Sequence, residues 1–246
     1  MTPLFTGAPK AIVKEFSQQR VRRGRYISAA SAYAVSRSLR FNSADSAYLS
    51  RTPASAGNQT TMTFSLWLKL GKLGSNRRIY CGGSTAWNDG VIQISNGDKL
   101  ELILNNGSSQ AARLTSTRVF RDPSAWYHIV VNYDSTNGTA SDRWRMYVNG
   151  ERITVFDSAS YPGSSVAWRG VNSTDTQFIG TGWDGLPFDG YLADIHFIDG
   201  YAYDPSYFGE TNATTGVWIQ KHTAAATAQT ASTSTLPTTV QQLPPH

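Results

Sequence analysis

The 246-residue chain contains one cysteine, Cys81, so the sequence allows no intrachain disulfide framework. No run of about eighteen apolar residues occurs, and this predicts that no helix spans a membrane. Charged residues make up only 16% of the chain, below the usual quarter or so, and Ser, Thr, Asn and Gly take their place. The first ten residues lack the charged-then-apolar order of a signal peptide. We therefore expect a protein that is made in a cytosol and relies on its own core.

The net charge of +5 is distributed unevenly. Residues 1–40 contain eight basic residues and one acid, whereas the remaining residues carry a balance of −2. Such asymmetry indicates an interaction tail. We interpret residues 1–36 as a basic N-terminal arm that anchors the protein to a larger particle, through Lys10, Lys14, Arg20, Arg22, Arg23 and Arg25.

Two interpretations of this arm remain open. It becomes ordered by docking on an acidic surface or nucleic acid, or it is a solvated disordered tail. Nucleic acid is the less favoured partner, because no aromatic stacking platform beyond Tyr26 accompanies the basic cluster. At the other end, residues 222–246 form an Ala-, Thr- and Pro-rich tail that is too poor in apolar residues to build a core. We expect an extended or disordered terminus, or one pinned along a neighbouring subunit.

Short alternating stretches between the two tails predict β-strands. Residues 126–133 and 144–153 largely alternate apolar and polar side chains, as strands buried on one face do. Asn149-Gly150 predicts a type I′ hairpin turn, and Asn96-Gly97 and Asn106-Gly107 carry the same signal. About a dozen such strands with frequent turns predict an all-β antiparallel sandwich over residues 37–221. Further strands are expected at 38–42, 47–50, 63–69, 78–82, 90–95, 99–104, 109–114, 176–180 and 188–198.

Several of these stretches resemble a known family. The segment WYHIVVNYD at 126–134, followed by MYVNGERI at 146–153, resembles the laminin-G/concanavalin A-like jelly-roll domains. SLRFNSADSAYLSR at 38–51 matches the opening of such a domain, and FDGYLADIHFIDGYAYDPSYFGE at 188–210 looks like its final strand and exit turn in tailed-phage virion proteins. The resemblance covers residues 38–221 and implies a jelly roll that binds surfaces and sugars.

The sequence offers little for catalysis. Glucanases on this fold carry paired carboxylates on one strand, and that pattern is absent. Consecutive members of the series Asp189, Asp194 and Asp199 are separated by an odd number of residues, so they would point to opposite faces of a strand. His128 and His196 lie in predicted strands, where we expect hydrogen-bonded or solvent-facing imidazoles. We therefore expect no enzymatic activity, and we expect Cys81 to be a small buried hydrophobe.

Three of the seven tryptophans lie in predicted polar loops, where an indole face could stack on a sugar while Asn and Asp bind its hydroxyls. The candidate glycan contacts are Trp87, Asn88, Asp89, Trp168, Trp183 and Asp184. The alternative is that each indole packs its loop against the sandwich or lies in a contact between subunits. Trp67 and Trp126 fall in predicted strands and are expected in the core.

The resemblance also raises the question of calcium, which often sits at the rim of related sandwiches. No dense carboxylate loop of the D-x-D-x-D type occurs here. Asp89, Asp157, Asp175 and Asp184 are single acids in predicted loops, and we interpret them as solvated or turn-stabilising residues. No cofactor is expected, and calcium is left without assigned ligands.

Together these observations predict a non-enzymatic bacteriophage virion protein, assembled in the host cytoplasm. Within the virion it would be a capsid decoration, cement or head-fibre protein, or a tail-fibre or adaptor subunit. Its partners would be other virion proteins, copies of itself in a homo-oligomer such as a trimer, and a host-surface glycan. The alternative is a soluble carbohydrate-binding, lectin-like module whose tails are linkers.

Overall fold

A computed structural model describes residues 37–85 and 87–221, together with the backbone of Val240 and Gln241. The anchoring candidates of the basic arm and nearly all of the C-terminal tail lie outside these residues. Within the described part, no helix has the length and hydrophobicity that crossing a membrane requires.

Fifteen strands of the body and one short strand near the C-terminus form three antiparallel sheets. The first sheet has six strands in the order β1-β13-β3-β8-β9-β10. Its strands are β1 (Leu39–Phe41), β3 (Thr61–Leu70), β8 (Tyr127–Asp134), β9 (Trp144–Val148), β10 (Glu151–Arg152) and β13 (Gly190–Asp199).

The second sheet has eight strands in the order β11-β7-β6-β5-β4-β12-β2-β16. Its strands are β2 (Tyr48–Arg51), β4 (Arg77–Gly83), β5 (Asp89–Ile94), β6 (Lys99–Asn105), β7 (Gln110–Val119), β11 (Phe156–Ser160), β12 (Gln177–Ile179) and β16 (Val240–Gln241).

A third, two-stranded sheet is a hairpin of β14 (Gly209–Thr211) and β15 (Trp218–Gln220). We call residues 209–220 the C-terminal hairpin. Helical turns are limited, in the described residues, to three short 3-10 segments at Ser43–Asp45, Ala140–Asp142 and Pro205–Tyr207. The predicted all-β antiparallel sandwich is therefore confirmed.

The core lies between the two large sheets, and the alternation of each strand decides which side chains enter it. In β3, Phe64, Leu66 and Leu68 point into the core, while Ser65 and Trp67 point to the outer face. Leu100, Leu102 and Leu104 of β6 enter it from the eight-stranded sheet. Each sheet therefore has a second, outer face whose side chains do not belong to this core.

The three predicted Asn-Gly turns have different outcomes. Asn149 and Gly150 both have positive φ, at 51° and 82°, which confirms the type I′ turn between β9 and β10. Asp98, rather than Asn96 or Gly97, has positive φ in the turn before β6, so that turn is longer than expected. At Asn106-Gly107 only the glycine has positive φ.

Two tryptophans differ from their expected place between the sheets. Trp67 is buried, but on the outer face of the six-stranded sheet, where it lies opposite His128. Trp126 precedes β8 and is 38% exposed, with its ring 6.5 Å from that of Tyr191. The prediction of a core role is wrong for Trp126, because β8 starts one residue later and leaves the indole at the surface.

Candidate functional site

Two of the predicted glycan contacts meet at one end of the outer face of the eight-stranded sheet. Asp89, the first residue of β5, is only 3% exposed. Its Oδ2 accepts a hydrogen bond from Nε1 of Trp183 at 3.0 Å, and its Oδ1 accepts one from Nδ2 of Asn105 at 2.5 Å. We call Trp87, Asn88, Asp89, Asn105 and Trp183 the tryptophan rim.

The bond to Asp89 holds the Trp183 indole by its edge. The side chain is nevertheless 38% exposed, so part of the ring system remains accessible to a partner. An indole carries one polar donor, and here that donor is already satisfied by a buried carboxylate. What Trp183 offers to solvent is therefore a fixed apolar ring surface.

Trp87 is the second exposed indole of the rim, at 48% exposure. Its backbone has a φ of +66°, a conformation that is unfavourable for a bulky L-residue. The N–H of Gly107 donates to the carbonyl of Trp87 at 2.5 Å and ties this loop to the turn between β6 and β7. An exposed aromatic residue held in a strained conformation is typical of functional sites, where such strain persists because the surroundings impose it.

Asn88 holds the Trp87 loop in place through the hydrogen bonds of its side chain. Its Oδ1 accepts from Nε of Arg169 at 2.5 Å, and its Nδ2 lies 3.5 Å from Oδ2 of Asp175. Asp175 also accepts from the hydroxyls of Ser84 and Ser173 at 3.2 Å each. Asn88 and Asp175 therefore act as loop-stabilising residues in this structure.

Asn105 is the rim residue that the sequence did not single out. It is 7% exposed, and its Oδ1 is buried without a hydrogen-bond partner. The orientation of the amide is fixed, because the carboxylate of Asp89 can only accept and must face the NH₂ group. The rim thus contains a buried acceptor that a donor group would satisfy. The signal in the sequence was modest: Asn105 ends a strand directly before an Asn-Gly pair.

A row of polar side chains crosses the same outer face beside the rim. Arg78 binds Asp184, with Nη2 2.5 Å from Oδ2, and donates through Nη1 to Oε1 of Gln93 at 2.6 Å. Gln93 donates to the buried carboxylate of Glu101. Glu101 also accepts from Nε of Arg113 at 2.9 Å.

These five residues, Arg78, Gln93, Glu101, Arg113 and Asp184, are called the outer polar row. They lie on four strands and one loop, so the sequence could not join them. Asp184, a predicted glycan contact, is held in an ion pair with Arg78 instead of facing solvent freely.

Cys81 lies next to the rim and is fully buried, as expected. Burial, together with the nearby charge of Asp89, raises the pKa of its thiol to about 12. The thiol therefore stays protonated near neutral pH and packs as an apolar group.

The expectation that Trp168 contacts a glycan is wrong. Trp168 is 1% exposed and belongs to the core, where its ring meets that of Trp144 at 4.8 Å in an edge-to-face arrangement. Its Nε1 donates to the carbonyl of Ile103 at 3.0 Å. The loop that carries Trp168 folds inward, and its indole packs in the core against the rings of Trp144 and Tyr133.

Asp157 was predicted to lie in a loop, but it lies in β11 and has a structural partner. It pairs with Lys99 of β6 across the intervening strand β7. In residues 37–85 and 87–221, no group of three or more His, Cys, Asp or Glu side chains is placed to hold a metal ion.

Comparison with known proteins agrees with the architecture. The model of the concanavalin A-like lectin/glucanases superfamily matches residues 42–206. A search of the curated proteins found no match.

Several solved structures from varied sources are similar to parts of this chain. The heptameric SAP-like pentraxin of Limulus polyphemus shares 14% identity, with 70% of this chain and 76% of the pentraxin covered, at a TM-score of 0.45. The CBM40 of the Ruminococcus gnavus IT-sialidase shares 14% identity, with 69% of this chain and 92% of the module covered, at 0.46. Domains LG4-5 of the mouse laminin alpha1 chain share 12% identity, with coverage of 70% and 44%, at 0.46. Likeness at this level concerns the fold alone.

Proposed function

The chain belongs to the concanavalin A-like lectin/glucanases superfamily, and we propose that it binds a glycan through the tryptophan rim. The observation that carries this proposal is the Trp183–Asp89–Asn105 arrangement. It presents the partly exposed face of the Trp183 indole, which is fixed in place by the buried carboxylate of Asp89, and Asn105 binds the same carboxylate. The apolar C–H face of a sugar ring matches an indole face held in this way.

The geometry of Trp87 also supports binding at the rim, and Asn88 stabilises the loop that carries it. Trp87 extends the exposed aromatic surface two residues before Asp89, and its strained backbone is held by the turn at Gly107. The loop is therefore fixed before a ligand arrives, and pre-organisation of this kind lowers the cost of binding. Trp168 and Asp184 are not part of the proposed contact surface.

We further propose that the protein binds its glycan without cleaving it. Glycosidases place two carboxyl groups about 5–9.5 Å apart across the scissile bond. Glu101 lies opposite Gln93 in the strand register, four residues along β5 from Asp89. The backbones of the two residues are therefore offset by about 13 Å along the strand direction. Each carboxylate is bound to other side chains.

A glycan array of the full chain tests the proposal. We expect at least one glycan to bind, and we expect Trp183→Ala and Trp87→Ala each to weaken that binding at least tenfold. Trp126→Ala is the matched control, because Trp126 is as exposed as Trp183 but belongs to the other sheet. Binding that persists in both rim variants, or is lost equally in the control, would contradict a glycan site at the rim.

A virion location stays a proposal that rests on the sequence. It is supported by the basic arm and by the motifs at 38–51 and 188–210 that resemble phage virion domains. The arm would anchor the jelly roll, and the glycan would be a host-surface sugar. Co-sedimentation with particles that lack the protein tests this. The full chain should pellet and a chain beginning at Arg37 should not; failure of both to pellet would argue for a soluble lectin-like module.

A further inference from the structure

The outer face of the six-stranded sheet carries a buried imidazole between two indoles. His128 of β8 stacks on Trp67 with ring centroids 5.0 Å apart, and on Trp218 at 6.0 Å, with interplanar angles of 26° and 22°. Trp67 belongs to the sheet, whereas Trp218 begins β15 of the C-terminal hairpin. The histidine therefore lies at the contact between the hairpin and the sheet.

The hydrogen bonds fix the protonation state of this histidine. Nε1 of Trp218 lies 3.0 Å from Nδ1 of His128, and an indole nitrogen can only donate. Nδ1 must therefore be the unprotonated acceptor. The ring proton is then on Nε2, which lies 3.0 Å from the hydroxyl oxygen of Ser65. A proton on Nδ1 would place two N–H donors against each other and break the hydrogen bond from Trp218.

The sheet and the hairpin are shaped to hold Trp218 in this position. A Cβ atom at Gly150, in the β9–β10 turn, would lie 2.5 Å from the Trp218 ring, and so would one at Gly209 of the hairpin itself. The absence of side chains at both positions creates the space for the indole. Trp218 is thus one of the contacts that hold the hairpin on the sheet, and it lies over His128. A second contact is the hydrogen bond between Gln220 of the hairpin and Asp194 of β13.

The charged groups facing His128 come from one strand. Asp194 and His196 of β13 lie nearby and are bound to each other at 2.9 Å. β3 contributes the uncharged Ser65 and Trp67, and the hairpin side contributes Trp218 and the ring of Phe208, 6.5 Å away. Asp194 favours a charged imidazole and His196 opposes it, so neither acts alone.

We propose that the Trp218–His128 contact is a proton-operated latch for the C-terminal hairpin. Protonation of His128 at Nδ1 breaks the hydrogen bond from Trp218 and releases residues 209–220 from the sheet. Lys221 follows the hairpin directly, so the latch controls whether this residue is held at a fixed point on the domain. This inference is independent of glycan binding at the rim, which lies on the other sheet.

The size of the effect follows from linkage. Burial lowers the pKa of His128 to about 4 in the closed hairpin, against 6.5 for a free imidazole. The closed form is therefore favoured above pH 6.5 and loses stability as the pH falls from 6.5 towards 4. The ratio of closed to released hairpin drops by up to about 300-fold across that window, a factor of ten for each pH unit.

Hydrogen exchange of the full chain at several pH values tests the latch. After correction for intrinsic exchange rates, amides of residues 209–220 should lose protection between pH 6.5 and 4, while those of β6 should not. His128→Gln is the matched control, since its amide oxygen accepts a hydrogen bond but does not titrate. The hairpin should be equally protected in this variant at both pH values. Loss of protection in the variant that matches the native chain would overturn the proposal.

An NMR titration of the native His128 ring keeps the proposal testable if His128→Gln fails to fold. We expect a pKa well below 6.5, and we expect Trp218→Phe, which keeps an aromatic ring but removes the donor, to raise it. A native pKa near 6.5 while the hairpin stays protected would overturn the latch. An unchanged pKa in Trp218→Phe would do the same.

Discussion

The indole nitrogen of Trp183 donates to the Oδ2 atom of Asp89 across 3.0 Å, joining a loop after β12 to the first residue of β5. One buried carboxylate thus fixes the position of an exposed ring that is 94 residues away in sequence. Since Asp89 and Asn105 are both nearly inaccessible, the contribution of Asp89 to ligand binding is exerted through the position of Trp183.

Removal of this carboxylate tests that dependence. Asp89→Ala leaves two buried donors without an acceptor, so we expect a loss of about 1–3 kcal/mol in the free energy of unfolding. Glycan affinity should fall in parallel, because the Trp183 ring is no longer held. Asp157→Ala, which breaks a half-exposed ion pair with Lys99 on the same sheet, should change stability by about 0.5 kcal/mol or less. Urea denaturation of both variants measures the difference.

The two loop tryptophans Trp168 and Trp87 should respond in opposite ways to truncation. Trp168→Ala removes a buried indole from the core, and we expect a loss of about 3–5 kcal/mol in the free energy of unfolding. Trp87→Ala removes an exposed ring and should leave stability within about 0.5 kcal/mol while it weakens glycan binding. A stable Trp168→Ala variant that has lost glycan binding would contradict the burial of Trp168.

Gly150 meets two requirements at once, and substitution should reveal both. Its φ of +82° strains any residue with a Cβ, and that Cβ would lie 2.5 Å from the Trp218 ring. We expect Gly150→Ala to cost about 2–4 kcal/mol, with the hairpin displaced. Gly74→Ala is the matched control, since its φ of +74° is similar but nothing lies within 4 Å of the added Cβ. That control should lose only about 1 kcal/mol in thermal or urea unfolding.

Asp98 should make stability depend on pH at the acid end. Burial alone would raise the pKa of Asp98, but hydrogen bonds from the Gly74 N–H, Arg77 and Arg121 outweigh it and lower the pKa below 3.8. Its carboxylate therefore stabilises the fold above about pH 4, and that contribution is lost as the pH falls through the lowered pKa. We expect Asp98→Asn to cost about 3 kcal/mol at pH 7, because Arg77 is fully buried.

The same substitution provides its own control in acid. The difference in unfolding free energy between Asp98→Asn and the native chain should begin to shrink below about pH 4. It should disappear only below the lowered pKa of Asp98, where the native carboxylate is also neutral. A constant difference from pH 7 to pH 2 would mean that Asp98 acts through packing rather than charge. Urea denaturation curves across this range give the answer.

Strand periodicity predicted the body of the fold correctly because it reports which face of each strand is buried. A strand was predicted at 63–69, and in the structure Phe64, Leu66 and Leu68 of that strand enter the core while Trp67 lies on the opposite face. The Asn149-Gly150 signal succeeded for a similar reason, because both positions need positive φ. Fold class and most strands were thus accessible from local patterns.

The site was less accessible because its contacts join distant elements. Nothing local distinguishes the loop of Trp168, which folds into the core, from that of Trp183, which stays partly exposed. The partnership of Asp89 with Asn105 depends on the register of β5 and β6. Glu101 finds Gln93 and Arg113 only because β5 and β7 flank β6. Strand register and loop direction depend on tertiary packing. A one-residue shift in register would move every side chain of a strand to the opposite face.

The buried thiol of Cys81 makes the native chain a convenient background for chemical labelling. Maleimides and similar reagents attack the thiolate, and a thiol with a pKa of about 12 that is enclosed beneath the rim offers almost none at neutral pH. A new cysteine on the exposed side of the C-terminal hairpin, for example at Thr214, would therefore react selectively. A fluorophore attached there could follow hairpin movement without first replacing the residue that nature placed at position 81.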